Sequence, residues 1–136
     1  MRVRDGMSDV VLTVGPGHTL RQAAAAMAAR KVGAAVVIDP DEPGPGVITE
    51  RDILLSVAAG EDPDAEHVAG HLTGNLTFAS PEWSLERAAA AMVTGGFRHL
   101  VVVEGSALVG ILSMRDIVRC WTQDGATTDV PAAARG

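Results

Sequence analysis

Two strings in the chain carry side chains of a type and spacing that can do chemistry: Gly46-Val47-Ile48-Thr49-Glu50-Arg51-Asp52 and Gly110-Ile111-Leu112-Ser113-Met114-Arg115-Asp116. Each runs glycine, two apolar residues, a hydroxyl and, three positions on, an aspartate. That spacing suits a helix cap, in which the hydroxyl accepts from a backbone N–H of the first turn and the carboxylate complements the helix dipole. The same groups can serve a ligand. A helix N-terminus presents free N–H groups to an anion, and a carboxylate one turn in accepts hydrogen bonds from a vicinal diol. Phosphate plus diol describes a ribonucleotide.

Other reactive residues carry weaker signals. His67 and His71 sit at i, i+4 beside Glu66, a spacing that ligates zinc when it falls on a helix. Gly70 interrupts that turn and no third ligand lies close in sequence, so the pair is expected at the surface and neither a metal nor a cofactor is expected. Cys120, next to Trp121 with no base nearby in sequence, reads as a packed thiol. The chain has no Gly-x-Ser-x-Gly elbow, no phosphate loop ending in Gly-Lys, no paired cysteines and no His-Glu-x-x-His. An enzyme is not expected.

The elements that position these groups occur twice. Pro16, Leu20, Ala23-Ala24-Ala25-Ala26 and Met27 match Pro81, Leu85, Ala88-Ala89-Ala90-Ala91 and Met92 at one constant offset, and Val36-Val37 matches Val101-Val102. After a loop one residue shorter in the second copy, Gly46 matches Gly110 and Arg51-Asp52-Ile53 matches Arg115-Asp116-Ile117. Each copy reads as a short strand closed by a proline turn (residues 10–14 and 76–79), then a helix capped by Thr19 or Ser84 with its apolar stripe at i, i+3, i+4, i+7, i+8. Two strands follow, residues 34–38 with 46–49 and 100–104 with 108–112, and then a helix over 51–59 or 115–123. The expected architecture is α+β, an α/β sandwich of two β-α-β-β-α repeats. Repeat one covers residues 1–60, a connection 61–66, repeat two 67–123, and a frayed tail 124–136.

Composition sets outer bounds. The 136 residues suffice for one modest globular unit, and 47 % apolar with 21 % charged residues is ordinary for a core-forming chain. Eleven basic against seventeen acidic residues leave a charge of −6, the wrong sign for gripping phosphodiester backbones over a broad surface. No nucleic-acid partner is expected. A single cysteine, no charged leader before an apolar run and no stretch of about 20 apolar residues point to a cytoplasmic protein without a membrane partner. Alanine-lined helices bury little area per residue, so a homodimer is expected to cover more surface.

The doubled unit, the Gly-x-x-Thr/Ser-x-x-Asp strings and the Pro-x-x-Thr/Ser-Leu turn into an alanine-rich helix ending in Met resemble a tandem pair of cystathionine-β-synthase-type (CBS) domains, also called a Bateman module. The resemblance covers residues 3–121. It implies repeats packed through their sheets about a pseudo-twofold axis, with two clefts that bind adenosine compounds such as AMP, ADP, ATP, S-adenosylmethionine or NAD. By that similarity one cleft combines Ile48, Thr49 and Asp52 with Thr77, Phe78, Arg98 and His99. The other combines Leu112, Ser113 and Asp116 with Leu12, Thr13, Gly33 and Ala34. Basic residues often hold the Arg98 and His99 positions in relatives that bind phosphates, whereas the first copy has Gly33 and Ala34 there. The Asp52 cleft is therefore the first choice.

Each of these residues also has a structural reading: Arg98 as a solvated or ion-paired residue, and Phe78 and Phe97 as core side chains, although Phe78 is also placed to stack on a purine. The expected function is that of a non-catalytic regulatory module that binds an adenosine ligand and signals through its dimer surface or an effector protein, no effector domain being attached. The alternative is a ligand-independent dimerisation and interaction protein.

Overall fold

The computed structural model describes residues 1–74 and 76–123; the expected tail at 124–136 lies outside them. In chain order the elements are helix α1 (Val3–Gly6), strand β1 (Thr13–Val14), helix α2 (Leu20–Arg30), strands β2 (Ala34–Val37) and β3 (Gly46–Thr49), helix α3 (Glu50–Ala58) and a 3₁₀ turn (Val68–Gly70). Strand β4 (Phe78–Ala79), helix α4 (Leu85–Gly95), strands β5 (His99–Glu104) and β6 (Ala107–Ser113) and helix α5 (Met114–Gln123) complete the second copy. The mixed α+β class is as expected. Two three-stranded sheets form, ordered β1-β2-β3 and β4-β5-β6. In each, the first pair is parallel, which needs the intervening helix as a crossover, and the second is an antiparallel hairpin. The opening strands are two residues long, shorter than the sequence pattern predicts.

Helix ends follow the sequence closely. Thr19 and Gln22 form a reciprocal capping box on α2, and the Ser84 hydroxyl accepts from Arg87 N at the start of α4. At the far ends both helices close on a left-handed residue. Gly96 adopts φ +71° without cost, whereas the matching Lys31 adopts φ +57° and carries the side-chain strain of that region.

The chain divides into two compact units that do not coincide with the sequence repeats: Val11–Leu76 is one, and Met1–Val10 joins the residues from Thr77 onward in the other. The first unit's core is Val14, Leu20, Ala23, Met27, Ala35, Val37, Ile48 and Val68. The second's is Val3, Ala79, Leu85, Ala88, Met92, Leu100, Val102, Leu112, Ile117 and Cys120. The packed thiol expected of Cys120 is found there. Val3 and Val68 are repeat-equivalent residues, and each is fully buried in the unit built mainly from the other repeat.

Backbone hydrogen bonds show the same exchange. Val3 N donates to Trp83 O at 2.7 Å, and Val68 N to the matching His18 O at 2.8 Å. Leu85 N donates to Met1 O at 3.1 Å, and Leu20 N to Glu66 O at 3.0 Å. Further on, Ser8 bridges Ile111 beside β6, and Thr73 N donates to Val47 O beside β3 at 2.8 Å. The lead-in of each repeat thus serves as an edge for the other repeat's hairpin, covering N–H and C=O groups that would otherwise be open. This requirement explains Gly110, where a Cβ would lie 2.7 Å from the backbone oxygen of Ser8; at Gly46 a Cβ would crowd only the end of the Leu72 side chain, at 3.0 Å. The sequence match, which begins at the proline turns, does not reveal this exchange, because residues 1–8 and 66–73 share little besides Val3 and Val68.

Removing the buried Val3 methyls should therefore destabilise the second repeat, not the first. Val3→Ala is expected to cost about 2 kcal/mol, read as a lower melting midpoint by tryptophan fluorescence, since Trp83 and Trp121 both lie in that unit. An unchanged midpoint would show that the lead-in contributes nothing to this core.

Candidate functional site

At the junction of β3 and α3 the two readings of the first string meet in one carboxylate. Thr49 is the N-cap; its hydroxyl accepts from Asp52 N at 3.2 Å, and its own N–H donates to Asp52 Oδ2 at 2.8 Å. The Thr49 hydroxyl also donates to Oδ2 at 2.9 Å, and the Thr73 hydroxyl donates to the same oxygen at 2.5 Å. Three donors on Oδ2 fix the carboxylate in place. Oδ1 receives no hydrogen bond among the described residues. Asp52 is half-buried and lines an open cleft of about 270 Å³ together with Leu55, Ser56, Glu61, His71 and Leu72. One oxygen therefore caps the helix while the other remains an available acceptor.

The second string is built alike but ends differently. Ser113 N donates to Asp116 Oδ2 at 2.8 Å, and Asp116 N to Ser113 Oγ at 3.0 Å. Here Arg119 donates to Oδ1 at 3.1 Å, so both oxygens are engaged. The residue equivalent to Thr73 is Ser8, whose hydroxyl donates to Val10 O instead. The two strings are alike in sequence and different in the acceptors they leave open.

The other expected site residues fall into two groups. In the Val11–Leu76 unit, Gly33 O accepts from Glu50 N at 2.9 Å and Ala34 pairs with Thr49, so Gly33, Ala34, Ile48, Thr49 and Asp52 gather at one end of the sheet. Ile48 is fully buried, Leu12 packs against the core, and Thr13 is exposed on β1. In the other unit, His99 pairs with Ser113 and Arg98 O accepts from Met114 N at 2.8 Å, which places Arg98, His99, Ser113 and Asp116 at the corresponding end. Leu112 is buried and Thr77 half-buried. Arg98 is exposed and makes no ion pair among the described residues. Phe97 packs on the core, whereas Phe78 is 41 % exposed and is not the core side chain its size suggested. The members of each expected cleft are thus divided between the two units.

Thr73 carries no local sequence signal that links it to Asp52. His67 is exposed, as expected of the pair, whereas His71 is half-buried against Glu66; the two flank the 3₁₀ turn. Matching Val68 to Val3 sets residues 66–73 opposite 1–8 and Thr73 opposite Ser8.

The family model described as "CBS domain" matches residues 3–59 and again 68–122. The CBS domain-containing protein YhcV of Bacillus subtilis is 33 % identical over 115 residues, covering 85 % of this chain and 81 % of that protein. CBSCBSPB3 of Arabidopsis thaliana is 36 % identical over 110 residues, or 80 % of this chain, but the match spans only 19 % of that much longer relative. Among solved structures, the CBS domain protein PAE2072 from Pyrobaculum aerophilum, complexed with AMP, superposes with a TM-score of 0.78 at 30 % identity, covering 93 % of this chain and 99 % of that one.

Because one Asp52 oxygen carries three hydrogen bonds, stability and ligand acceptance can be separated there. Asp52→Ala is expected to cost about 1–3 kcal/mol through loss of the cap and the Thr73 contact, while Asp52→Asn, which can keep a carbonyl oxygen in the Oδ2 place, should cost much less. Equal thermal midpoints for wild type and Asp52→Ala would contradict the capping role.

Proposed function

The chain belongs to the CBS-domain family as a tandem pair, and from that premise we propose that it is a regulatory module that binds an adenosine-containing ligand on Asp52. The single observation that carries this reading is the unengaged Oδ1 of a carboxylate already fixed by its other oxygen and open to a cleft. A pre-positioned acceptor costs little to order on binding, and a ribose diol has the two donors to meet it. The relative complexed with AMP, at 30 % identity over nearly the whole chain, supports the ligand class. Asp116 is the weaker candidate because Arg119 competes for its second oxygen.

In this reading Thr49 and the first N–H groups of α3 lie near the phosphate, Arg98 from the other repeat supplies positive charge with His99 beside it, and Phe78 stacks on the base. Ile48 and Thr77 contribute through their backbone. Leu12, Thr13, Gly33 and Ala34 with Leu112, Ser113 and Asp116 form the secondary cleft. No group here is asked to perform bond chemistry. The ligand acts by favouring one packing of the module over another.

The output is proposed to pass through self-association. Leu54 on α3 is 65 % exposed, and its repeat-equivalent Val118 on α5 is 52 % exposed. Leu55 and Val57 extend the apolar surface on α3. Ligand-independent association through these helices is the second reading, and the same residues favour it. Among the described residues no helix is long and apolar enough to cross a membrane.

Titration of the protein with AMP, ADP, ATP and S-adenosylmethionine tests the first reading. At a hundredfold excess over Kd a ligand should stabilise by about 2.7 kcal/mol, raising Tm by several degrees. Asp52→Asn should abolish that rise, because an amide N–H₂ replaces the accepting oxygen, and Asp116→Asn should leave most of it. No rise with any of the four compounds would overturn the proposal in favour of the interaction protein. Independently, Leu54→Glu is expected to shift a dimer towards monomer in sedimentation at micromolar concentration, and a monomeric wild type would end the self-association reading.

A further inference from the structure

We propose that Glu61, Glu66 and His71 bind a first-row divalent cation of the zinc class, one per chain, at the wall of the cleft that Asp52 also lines. One potential ligand atom from each residue lies within 4.8 Å of the others. His71 Nε2 is 2.7 Å from Glu66 Oε1, and the Ser56 hydroxyl donates to Glu61 Oε1 at 2.8 Å. One imidazole nitrogen with two carboxylate oxygens is a donor set that suits zinc or manganese and leaves a coordination position open. Glu61 and His71 face the open cleft, which supplies an entry path.

The positions are held by backbone. Glu61 N donates to Ser56 O at 3.1 Å after the turn at Gly60, where φ is +85°, and Glu66 and His71 stand on either side of the 3₁₀ turn, with His71 N donating to Val68 O. Around a tetrahedral ion with bonds of about 2.1 Å the donors stand about 3.4 Å apart. The His71–Glu66 contact, at 2.7 Å, must open to reach that spacing.

A second and independent observation comes from the repeat. The places of Glu66, His71 and Ser56 are held in the other unit by Met1, Gly6 and Cys120. There Cys120 is buried and a Cβ on Gly6 would meet its sulfur at 2.8 Å, Met1 is 48 % exposed, and Arg119 donates to Gly6 O at 3.2 Å. None of these three described counterparts carries a carboxylate or an imidazole. In the first unit the same place carries a histidine, two glutamates and Ser56, which at 3 % exposure is the one buried polar side chain among the described residues. Its hydroxyl is committed to orienting Glu61, the part a supporting hydrogen bond plays behind a metal ligand.

The test uses tag-free, chelator-stripped protein titrated with Zn²⁺ in calorimetry, with elemental analysis after desalting and no nucleotide present. One zinc per chain is expected. His71→Ala and Glu61→Gln should each weaken binding by more than about tenfold, while His67→Ala, which alters the exposed neighbour, should not. Should His71→Ala fail to fold by circular dichroism, Glu61→Gln, which retains an acceptor for Ser56, decides. Absence of stoichiometric zinc in the wild type, or binding that survives Glu61→Gln and is lost in His67→Ala, overturns the site.

Discussion

Everything in this structure depends on an exchange of chain between the two repeats. Val3 N on Trp83 O and Val68 N on His18 O are the same hydrogen bond made twice, and in each case the donor comes from the repeat that does not supply the sheet. The helices that cover each sheet present alanines, Ala23 in one and Ala88 in the other, which allow close approach but bury little surface. A valine from the other lead-in completes each core. The backbone edge that follows it protects the open side of the hairpin, and beside β6 Gly110 gives it room to pass.

The exchange also touches the motif aspartates. A capping carboxylate needs only one oxygen for its helix, and the sequence of both strings meets that need identically. The lead-in acts on the committed oxygen: residues 66–73 bring Thr73 to Asp52 Oδ2, and residues 1–8 bring no such donor to Asp116. The second oxygen is decided one turn along the motif's own helix, where Arg119 of α5 donates to Asp116 Oδ1 and the matching residue of α3 is Leu55, which has no donor. The two strings are alike, and the residues around them, on the lead-in and on the helix, make them unequal. The units differ in the same way where the first places Glu66, His71 and Ser56 and the second has Met1, Gly6 and the buried Cys120.

The amino-acid sequence by itself determined the doubled α+β architecture, because periodicity and capping are local properties: Thr19 with Gln22, Ser84, and Thr49 with Asp52 all stand where their spacing places them. Family membership was legible for the same reason, the strings and the alanine helices recurring in register. Short edges were less so; β1 and β4 are two residues each, because only two residues of each pair with the neighbouring strand while the apolar run in the sequence is longer. Only tertiary structure decided that residues 1–10 and 61–76 change allegiance, that Phe78 stands exposed, that Thr73 reaches Asp52, and that His71 turns towards Glu66 and away from His67. Each of these depends on contacts between residues far apart in the chain or across a non-helical turn, where the spacing of side chains along a sequence no longer fixes their spacing in space.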